Sequence, residues 1–383
     1  QILQDPAAAT DPSLTVIRPY DRLPQINFHA GRYDVGGFDW ALDAELVRFS
    51  HPDFQTGNRA VAIPQVSYPF IRPGYFVTPK VMVHSSKYEI DTVGGASRTL
   101  TRTLPTFSLD SGLIYERDAT LLGKNVTQTL EPRLFYVYTP YKDQSMFPLF
   151  DTAEAGFNFA QIFSENRFIG ADRVADANQV TAAVTSRFIE ENGAERLRLA
   201  IGQRFYFRDQ RVLLDPSQTR TDQRSDLLVA ASGRIDDDWS FDSAVQYDAS
   251  AKQTFSSNYG VQWRPGDKKV INAEYRYLRD TFKNVDLSSQ WPLSMRWYGV
   301  GRVSYSVRDH KILESLLGLE YRADCWVFRM GAQRFVTTLR NTSTPIFFQL
   351  ELNGLSKLGF GNPLESFYKS IPGYSRLNPG YGR

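Results

Sequence analysis

Apolar and polar side chains alternate along most of this chain, and this alternation restricts the fold more than any other sequence feature. From Arg196 to Phe207, apolar residues occupy most of the odd positions, with Arg, Gly and Ala between them. A helix would repeat its apolar face every 3.6 residues, which these runs do not do. Since strands place successive side chains on opposite faces, the pattern predicts strands with one apolar and one polar face. Similar runs cover 238–249, 253–264, 311–323 and 344–355.

The length and number of these runs predict a membrane barrel. Roughly 17 runs, from 22–33 to 344–355, have the length of about 10 residues that a tilted strand needs to cross a bilayer. No stretch of about 18 apolar residues is present, so no transmembrane helix is expected. The mean hydropathy of −0.37 suits strands that are polar on one face. Short connections alternate with longer ones, of which 141–176 and 210–224 are the longest. We therefore predict an all-β fold, a transmembrane antiparallel β-barrel.

A single run of this kind would equally suit a half-buried strand of a soluble β-sandwich. Clusters of aromatic residues at strand ends, such as Tyr136, Tyr138 and Tyr141, favour the membrane because barrels carry aromatic girdles at both interfaces. The polar face also carries Gly and charged residues on strand after strand, as a wet lumen would. Within the loop 141–176, the apolar stretch 155–163 either forms a short helix that folds back over the barrel mouth or belongs to an external loop.

The sequence offers no constellation for catalysis or metal binding. The four histidines show no HExxH spacing, and no GxSxG motif is present. The formal net charge of +2 provides no basic footprint for nucleic acid. We predict a protein without enzyme activity, metal, cofactor or nucleic-acid partner.

Several stretches resemble a known family. The first two are Leu130-Glu131-Pro132-Arg133, continuing into Tyr136-Val137-Tyr138-Thr139-Pro140-Tyr141, and Asn166-Arg167-Phe168-Ile169-Gly170-Ala171-Asp172-Arg173. Two more are Gly202-Gln203-Arg204-Phe205-Tyr206-Phe207 and Phe348-Gln349-Leu350-Glu351-Leu352-Asn353-Gly354-Leu355. They resemble LptD, the lipopolysaccharide-assembly (organic-solvent-tolerance) family, and the first two are specific to it.

The resemblance implies a barrel of 26 strands that follows an N-terminal periplasmic β-jellyroll. A chain with about 17 strands then looks like the C-terminal part of such a protein. Residues 1–383 are expected to belong to the barrel domain, with 141–176 as a long loop within it and with the jellyroll and the first strands absent. An odd strand number also suits a fragment better than a closed bacterial barrel. The first strand, 22–33, is expected to have a free edge unless another segment pairs with it.

The resemblance also implies a function and partners. The family inserts lipopolysaccharide into the outer leaflet of the Gram-negative outer membrane, through a hydrophilic lumen and a lateral gate. Implied partners are the lipoprotein LptE, which plugs the lumen, the periplasmic lipopolysaccharide bridge LptA, reached through the absent N-terminal domain, lipopolysaccharide itself and outer-membrane lipids. The alternative is a porin-like or receptor β-barrel channel, which would conduct ions without a plugging partner.

Polar-face residues are the candidates for the lumen and the substrate path. Basic members either contact phosphates of the substrate or pair with neighbouring carboxylates. These candidates are Glu131, Arg133, Arg187, Arg196, Arg198, Arg204, Glu274, Arg276, Arg329 and Glu351.

The lateral gate of the family lies between the first and last strands, and the last strand here is predicted to end at Leu355. Proline cannot donate a ladder hydrogen bond, so Pro345 either weakens pairing at a gate or lies harmlessly at a strand start. The candidate gate residues are Pro345, Ile346, Phe348, Leu350 and Leu352.

Cys325 is the only cysteine of the chain. By the resemblance, two adjacent cysteines at this place each bond to a cysteine of the N-terminal part, whereas this sequence reads Asp324-Cys325. One interdomain disulfide, with its partner outside this chain, is therefore expected. The residue follows a predicted tight turn, which belongs on the oxidising periplasmic side. The alternative is a buried reduced cysteine that packs as a small apolar residue.

Overall fold

In the part of the chain that the structure describes, one long antiparallel sheet is accompanied by a separate pair of short strands and one helix. The computed structural model describes residues 18–91, 97–336, 342–352 and 356–377. In chain order the elements are β1 (Asp21–Val35), β2 (Phe38–Ser50), β3 (Thr56–Ser67), β4 (Phe70–Arg72), β5 (Tyr75–Asp91), β6 (Ser97–Leu113), β7 (Tyr115–Leu121), β8 (Lys124–Thr139), β9 (Ala153–Glu154), β10 (Phe168–Ile169), β11 (Ala177–Glu190), β12 (Glu195–Tyr206), β13 (Leu227–Arg234), β14 (Trp239–Asp248), β15 (Gln253–Gly266), β16 (Lys269–Leu278), β17 (Phe282–Pro292), β18 (Trp297–Ser306), β19 (Lys311–Arg322), β20 (Trp326–Val336), β21 (Thr342–Ser343), β22 (Ile346–Leu352), β23 (Ser356–Phe360) and α1 (Pro363–Ser370).

Successive strands of this sheet pair with each other in an up-and-down order. Both β3 and β4 pair with β5, and both β6 and β7 pair with β8, so each couple is one interrupted strand. The short strands β9 and β10 form a separate pair. This order confirms the predicted fold class, an all-β transmembrane antiparallel β-barrel. Among the described residues, no helix has both the length and the apolar character needed to span a bilayer.

The two ends of the barrel differ in the length of their connections. The segments 140–176 and 207–226 lie at one end, which we call the loop end. At the other, the turn end, the connections are short, as at 36–37, 122–123 and 267–268. Because outer-membrane barrels have short periplasmic turns and longer external loops, the turn end corresponds to the periplasmic side.

The prediction that the last strand is 344–355 is wrong. β22 ends at Leu352 and is hydrogen-bonded on its far side to β23, with Leu352 opposite Ser356. The predicted end of the strand, 353–355, lies outside the described residues. The sequence does carry a signal for the extra strand, since the dipeptide Asn353-Gly354 favours a hairpin turn.

The two edges of the sheet are β1 and β23. β1 pairs with β2, and β23 pairs with β22. Within 18–91, 97–336, 342–352 and 356–377, no pairing joins the two edges to each other. An unpaired strand edge in hydrocarbon is costly because each unsatisfied backbone group there costs several kcal/mol.

The predicted orientation of the strands is confirmed by the burial of their side chains. Leu199, Ile201, Val261, Leu317, Leu319 and Phe348 are exposed on the outer face, and Leu197 and Leu350 on the same face are half-buried. Glu320 and Gln262 lie on the inner face, where both contact the C-terminal segment. Glu351 pairs there with Arg329, and Arg198 follows by alternation along β12. The outer face is therefore the apolar one, as a lipid-facing surface requires.

Two segments cover parts of the inner face. The loop 141–176 packs on β12, where a Cβ added to Gly202 would lie 3.3 Å from both Phe159 and Ile162. Residues 158–163 form turns, so the short helix considered for 155–163 does not form. The C-terminal segment, 361–377, packs α1 on the wall near the turn end, with Phe367, Ile371 and Val300 in one buried cluster.

Arginine placed on the outer face should destabilise the barrel according to its depth. Leu317 lies near the middle of β19 and is 73% exposed. Leu317→Arg should lower the free energy of unfolding by about 2–4 kcal/mol, whereas Leu293→Arg, in the short connection 293–296, should cost about 0–1 kcal/mol. Urea titration of the refolded protein in lipid vesicles measures both values. Equal costs at the two sites would contradict the orientation.

Candidate functional site

The inner face of the sheet holds all ten residues predicted for the lumen. Most of these ten side chains form an ion pair with a neighbouring side chain of opposite charge. Arg133 lies 2.5 Å from Asp110, and Arg187 lies 3.3 Å from Glu131. Further pairs join Arg196 to Glu190 at 3.4 Å, Arg276 to Glu274 at 3.7 Å, and Arg329 to both Glu320 at 2.9 Å and Glu351 at 2.6 Å. The sequence left two alternatives open for the basic residues, contact with substrate phosphates or pairing with neighbouring carboxylates. For the arginines named here, the structure shows pairing with carboxylates.

Two of the predicted arginines have no carboxylate partner in the described part of the chain. Arg204 is buried and donates to the carbonyl oxygen of Ile162 at 2.6 Å, so it holds the long loop against the wall. Arg198 is exposed on the inner face and lies directly opposite Arg187 in the register of β11 and β12. Because Arg187 is held between Glu131 at 3.3 Å and Glu195 at 3.7 Å, the like charge opposite Arg198 is neutralised, and Arg198 is the exposed arginine of this pair that has no carboxylate of its own in the described residues.

A chain of ion pairs runs across β16 to β20 on the same face. Asp286 accepts from Arg276 at 2.7 Å and from Arg302 at 3.0 Å. Arg302 in turn lies 3.5 Å from Glu314, which accepts from Gln333 at 2.7 Å. Asp286, Arg302 and Glu314 are not among the residues predicted for the lumen, although all three fall on the polar face of an alternating run. Together with Glu274, they make this part of the inner wall hydrophilic and fixed in geometry.

A second cluster, also made of residues that were not predicted as site residues, fixes the long loop. Arg59 on β3 is buried and lies 2.6 Å from Asp151, 2.7 Å from Asp172 and 2.7 Å from Glu45. Asp172 also accepts from the Tyr88 hydroxyl at 3.0 Å. Burial alone would raise the pKa of the Asp151 carboxyl, but the neighbouring Arg59 guanidinium holds it below its usual range. The loop is therefore bound to the wall by charge.

Arg102 adds to this attachment from β6. Its guanidinium donates to the side chain of Gln144 at 2.5 Å and to the carbonyl oxygens of Ala171 and Asp172 at 2.7 and 2.8 Å. Asp172 and Arg173 belong to the second family-like stretch, whose residues thus serve to dock the loop. Because such contacts join positions far apart in sequence, no local sequence pattern predicts them.

A third cluster fixes the C-terminal segment at the turn end. Glu320 and Arg329 are both fully buried, and the Tyr374 hydroxyl donates to Glu320 at 2.6 Å. The Gln290 amide donates to the carbonyl oxygen of Ser375 at 2.9 Å and accepts from its backbone N–H at 2.9 Å. The segment therefore closes part of the inner face from the periplasmic side.

The candidate gate residues lie on β22 and just before it. Ile346, Phe348 and Leu352 are exposed on the outer face, Leu350 is half-buried, and the carbonyl oxygen of Pro345 accepts from Gln333 at 3.1 Å. β22 is paired on both sides, by β20 and by β23. The edge of the sheet is therefore β23 and not the strand that carries these residues.

Cys325 lies in the short connection between β19 and β20 at the turn end, and it is exposed. The backbone N–H of Ala323 donates to the carbonyl oxygen of Trp326 at 2.9 Å and closes this connection. The alternative of a buried cysteine that packs in a core is therefore wrong. Within the described ranges, no group of three or more His, Cys, Asp or Glu residues is placed to hold a metal ion.

Comparison with known proteins identifies the family of this chain. The family model for LptD, LPS transport system D, matches residues 10–297. The LPS-assembly protein LptD of Aromatoleum aromaticum is 48% identical over 94% of this chain and 46% of its own length. That of Thiobacillus denitrificans is 44% identical over 99% of this chain and 51% of its own length. The chain spans about half the length of these curated relatives.

Among solved structures, the siderophore receptor PirA from Acinetobacter baumannii aligns with 88% of this chain and 65% of its own, with a TM-score of 0.43 and 6% identity. That likeness is too low to bear on function. The match of the family model to most of the chain and the identity to the two relatives agree with the motifs and with the barrel fold. The chain belongs to the LptD family.

Proposed function

We propose that this chain forms part of the barrel wall of a translocon that inserts lipopolysaccharide into the outer leaflet of the Gram-negative outer membrane. The observation that carries the proposal is the high identity, over nearly the whole chain, to proteins named LPS-assembly protein. The polar inner face and apolar outer face support it, because lipopolysaccharide joins a hydrated anionic saccharide to apolar acyl chains. No catalytic step is part of this proposal.

The inner wall suits the saccharide end of the substrate. Paired charges keep it hydrophilic without leaving strong fixed charge, and Arg198 supplies a guanidinium that lacks a carboxylate partner in the described residues. We assign Arg198 a contact with phosphate groups of the substrate, since charge-assisted hydrogen bonds of this kind are strong. The acyl chains must reach lipid through a seam, for which the edge of the sheet near β22 and β23 is the candidate.

The chain is proposed to be the C-terminal part of the whole protein. Its length against that of its relatives supports this, as does the far edge of β1, with which no described strand pairs. A preceding strand would then pair with β1, and a preceding jellyroll would receive lipopolysaccharide from the bridge protein LptA. The lipoprotein LptE is proposed to occupy the lumen, and outer-membrane lipids to surround the outer face.

Depletion of the protein tests the proposed function. In a strain whose only copy of the full-length gene is shut off, newly made lipopolysaccharide should stop reaching the cell surface. Antibody labelling of intact cells against lysed cells measures the surface fraction. Restoration of that fraction by the wild-type gene is the control. Normal surface lipopolysaccharide after depletion would rule the function out.

Ion conductance separates the translocon from a porin-like or receptor channel. The loop 141–176 and the C-terminal segment both cover the inner face, which supports a low conductance. Planar bilayers containing the purified full-length protein should show no stable open-pore current. A porin would conduct steadily, and it would not purify with a stoichiometric small lipoprotein.

Cys325 is proposed to form a disulfide with a cysteine of the N-terminal part. Its exposure and its place at the turn end support this, because periplasmic disulfides persist in an oxidising compartment. Non-reducing electrophoresis of the full-length protein should show a different mobility for the wild type and for Cys325→Ser. The two should migrate together after reduction. If they migrate together without reductant as well, no bond forms at Cys325.

A further inference from the structure

A cavity of about 410 Å³ lies at the loop end of the barrel wall. It opens where β8, β11 and β12 end, between the loop 141–176 and the segment that follows β12. Gln179 and Tyr206 face each other in the register of β11 and β12, and both line the cavity from the inner face. Tyr141, Arg208 and Asp209 complete the part of the lining that bears on its chemistry.

Several polar groups of this lining are not used by the fold. The side chain of Gln179 is only 6% exposed, yet it makes no hydrogen bond to any described residue. Its amide atoms are not themselves buried but open onto the cavity, where they can exchange hydrogen bonds with a ligand. Arg208 and Asp209 are exposed and form no ion pair within the described ranges. These groups offer donors and acceptors side by side.

The remaining lining holds the cavity in shape. Asp176 accepts from the backbone N–H of Arg211 at 3.0 Å and from that of Val212 at 2.9 Å, which fixes the segment after β12. The Arg211 guanidinium stacks on the Tyr141 ring at 3.6 Å. Asn178 neighbours Gln179 along β11, so its side chain points to the outer face, where it accepts from the Tyr136 hydroxyl at 2.9 Å and fixes the end of the strand. A ligand would meet a preformed site.

We infer that this cavity is a saccharide-binding subsite. The cavity places aromatic rings beside an amide, a guanidinium and a carboxylate. Aromatic rings suit the apolar faces of a sugar, and the polar groups suit its many hydroxyl groups. An acyl chain would leave these polar groups without partners, and a free anion would meet Asp209 as well as Arg208. The inference deepens the proposed function, on which it rests for the choice of sugar, because lipopolysaccharide carries such a saccharide.

The direct test is binding of core oligosaccharide, prepared from lipopolysaccharide by removing the acylated part, to the purified full-length protein in detergent. Isothermal titration or saturation-transfer NMR should show binding to the wild type. Arg208→Ala and Gln179→Leu should each weaken it about tenfold or more, since each removes hydrogen bonds to the sugar. Arg224→Ala is the matched control, because Arg224 is exposed in the same 207–226 segment but does not line the cavity.

A second experiment distinguishes two sources of the saccharide: lipopolysaccharide in transit through the barrel and lipopolysaccharide already in the outer leaflet. If Arg208→Ala also slows the arrival of new lipopolysaccharide at the cell surface, the subsite binds substrate in passage. If arrival is normal while oligosaccharide binding is weakened, the subsite holds lipopolysaccharide already in the outer leaflet. Absence of oligosaccharide binding, or equal binding by Arg208→Ala and Arg224→Ala, overturns the inference. Variant-sensitive binding in a protein whose depletion leaves surface lipopolysaccharide unchanged would overturn the proposed function and leave the subsite in place.

Discussion

Arg59→Met should release the long loop from the barrel wall and lower the free energy of unfolding by about 3–5 kcal/mol. Met keeps the aliphatic stem but lacks the guanidinium, so Asp172, which is fully buried, and the largely buried Glu45 lose their cation, and Asp151 keeps only Arg22 at 3.8 Å. Unpaired buried carboxylates are strongly destabilising, because no water replaces the lost partner. Hydrogen exchange of 141–176 and urea unfolding in vesicles measure the two effects.

A matched surface pair controls for the loss of an arginine as such. Arg48 lies 3.4 Å from Asp91, and both side chains are about half exposed. Arg48→Met should therefore change the unfolding free energy by only about 0–1 kcal/mol. The double variant Arg59→Met with Asp172→Asn should recover part of the loss, since it removes one of the stranded charges. If Arg59→Met leaves the loop as protected as in the wild type, the ion-pair cluster is not what docks it.

Arg329→Met should have an effect of similar size at the other end of the barrel. It leaves Glu320 fully buried with only the Tyr374 hydroxyl and the Gln290 amide as partners. We expect a loss of about 3–5 kcal/mol and increased protease cleavage of the C-terminal segment. Limited proteolysis with mass spectrometry locates the cleavage.

The partner residue supplies the control for Arg329. Glu320→Gln in the Arg329→Met background removes the uncompensated charge while keeping the shape of the side chain, so part of the stability should return. An additive effect of the two substitutions, with the double variant weaker than either single one, would show that Glu320 and Arg329 do not act as a pair.

The strands of the barrel wall could be predicted because the sequence pattern that defines each strand lies within that strand. A strand such as β12 or β19 shows its two faces within about ten residues, so alternation alone separates Leu317 from Glu320. Every residue predicted for the lumen lies at a polar position of such an alternating strand. What alternation does not show is which partner each charge takes, because Arg276 and Asp286 pair across strands rather than along one.

The coverings of the inner face were not predictable in the same way. Arg59 and Asp172 are separated by 113 residues, and Gln290 and Ser375 by 85. The long loop carries no periodic pattern, since its side chains serve several unrelated contacts instead of one repeated face. The C-terminal segment carries a helical pattern only over the eight residues of α1, where Leu364 and Phe367 are buried. β23 was missed for a related reason: it is only five residues long, too short for alternation to stand out.

The central claim, that the inner face of this barrel carries lipopolysaccharide, is tested most directly by photo-crosslinking from neighbouring positions on β12. A photoreactive amino acid at position 198 faces inward, and one at position 199 faces outward. In living cells with pulse-labelled lipopolysaccharide, position 198 should give a lipopolysaccharide adduct that disappears when lipopolysaccharide synthesis is blocked. Position 199 should give adducts with membrane lipid that do not depend on new synthesis. If position 198 yields no lipopolysaccharide adduct while transport proceeds normally, the substrate does not pass along this face and the account is contradicted.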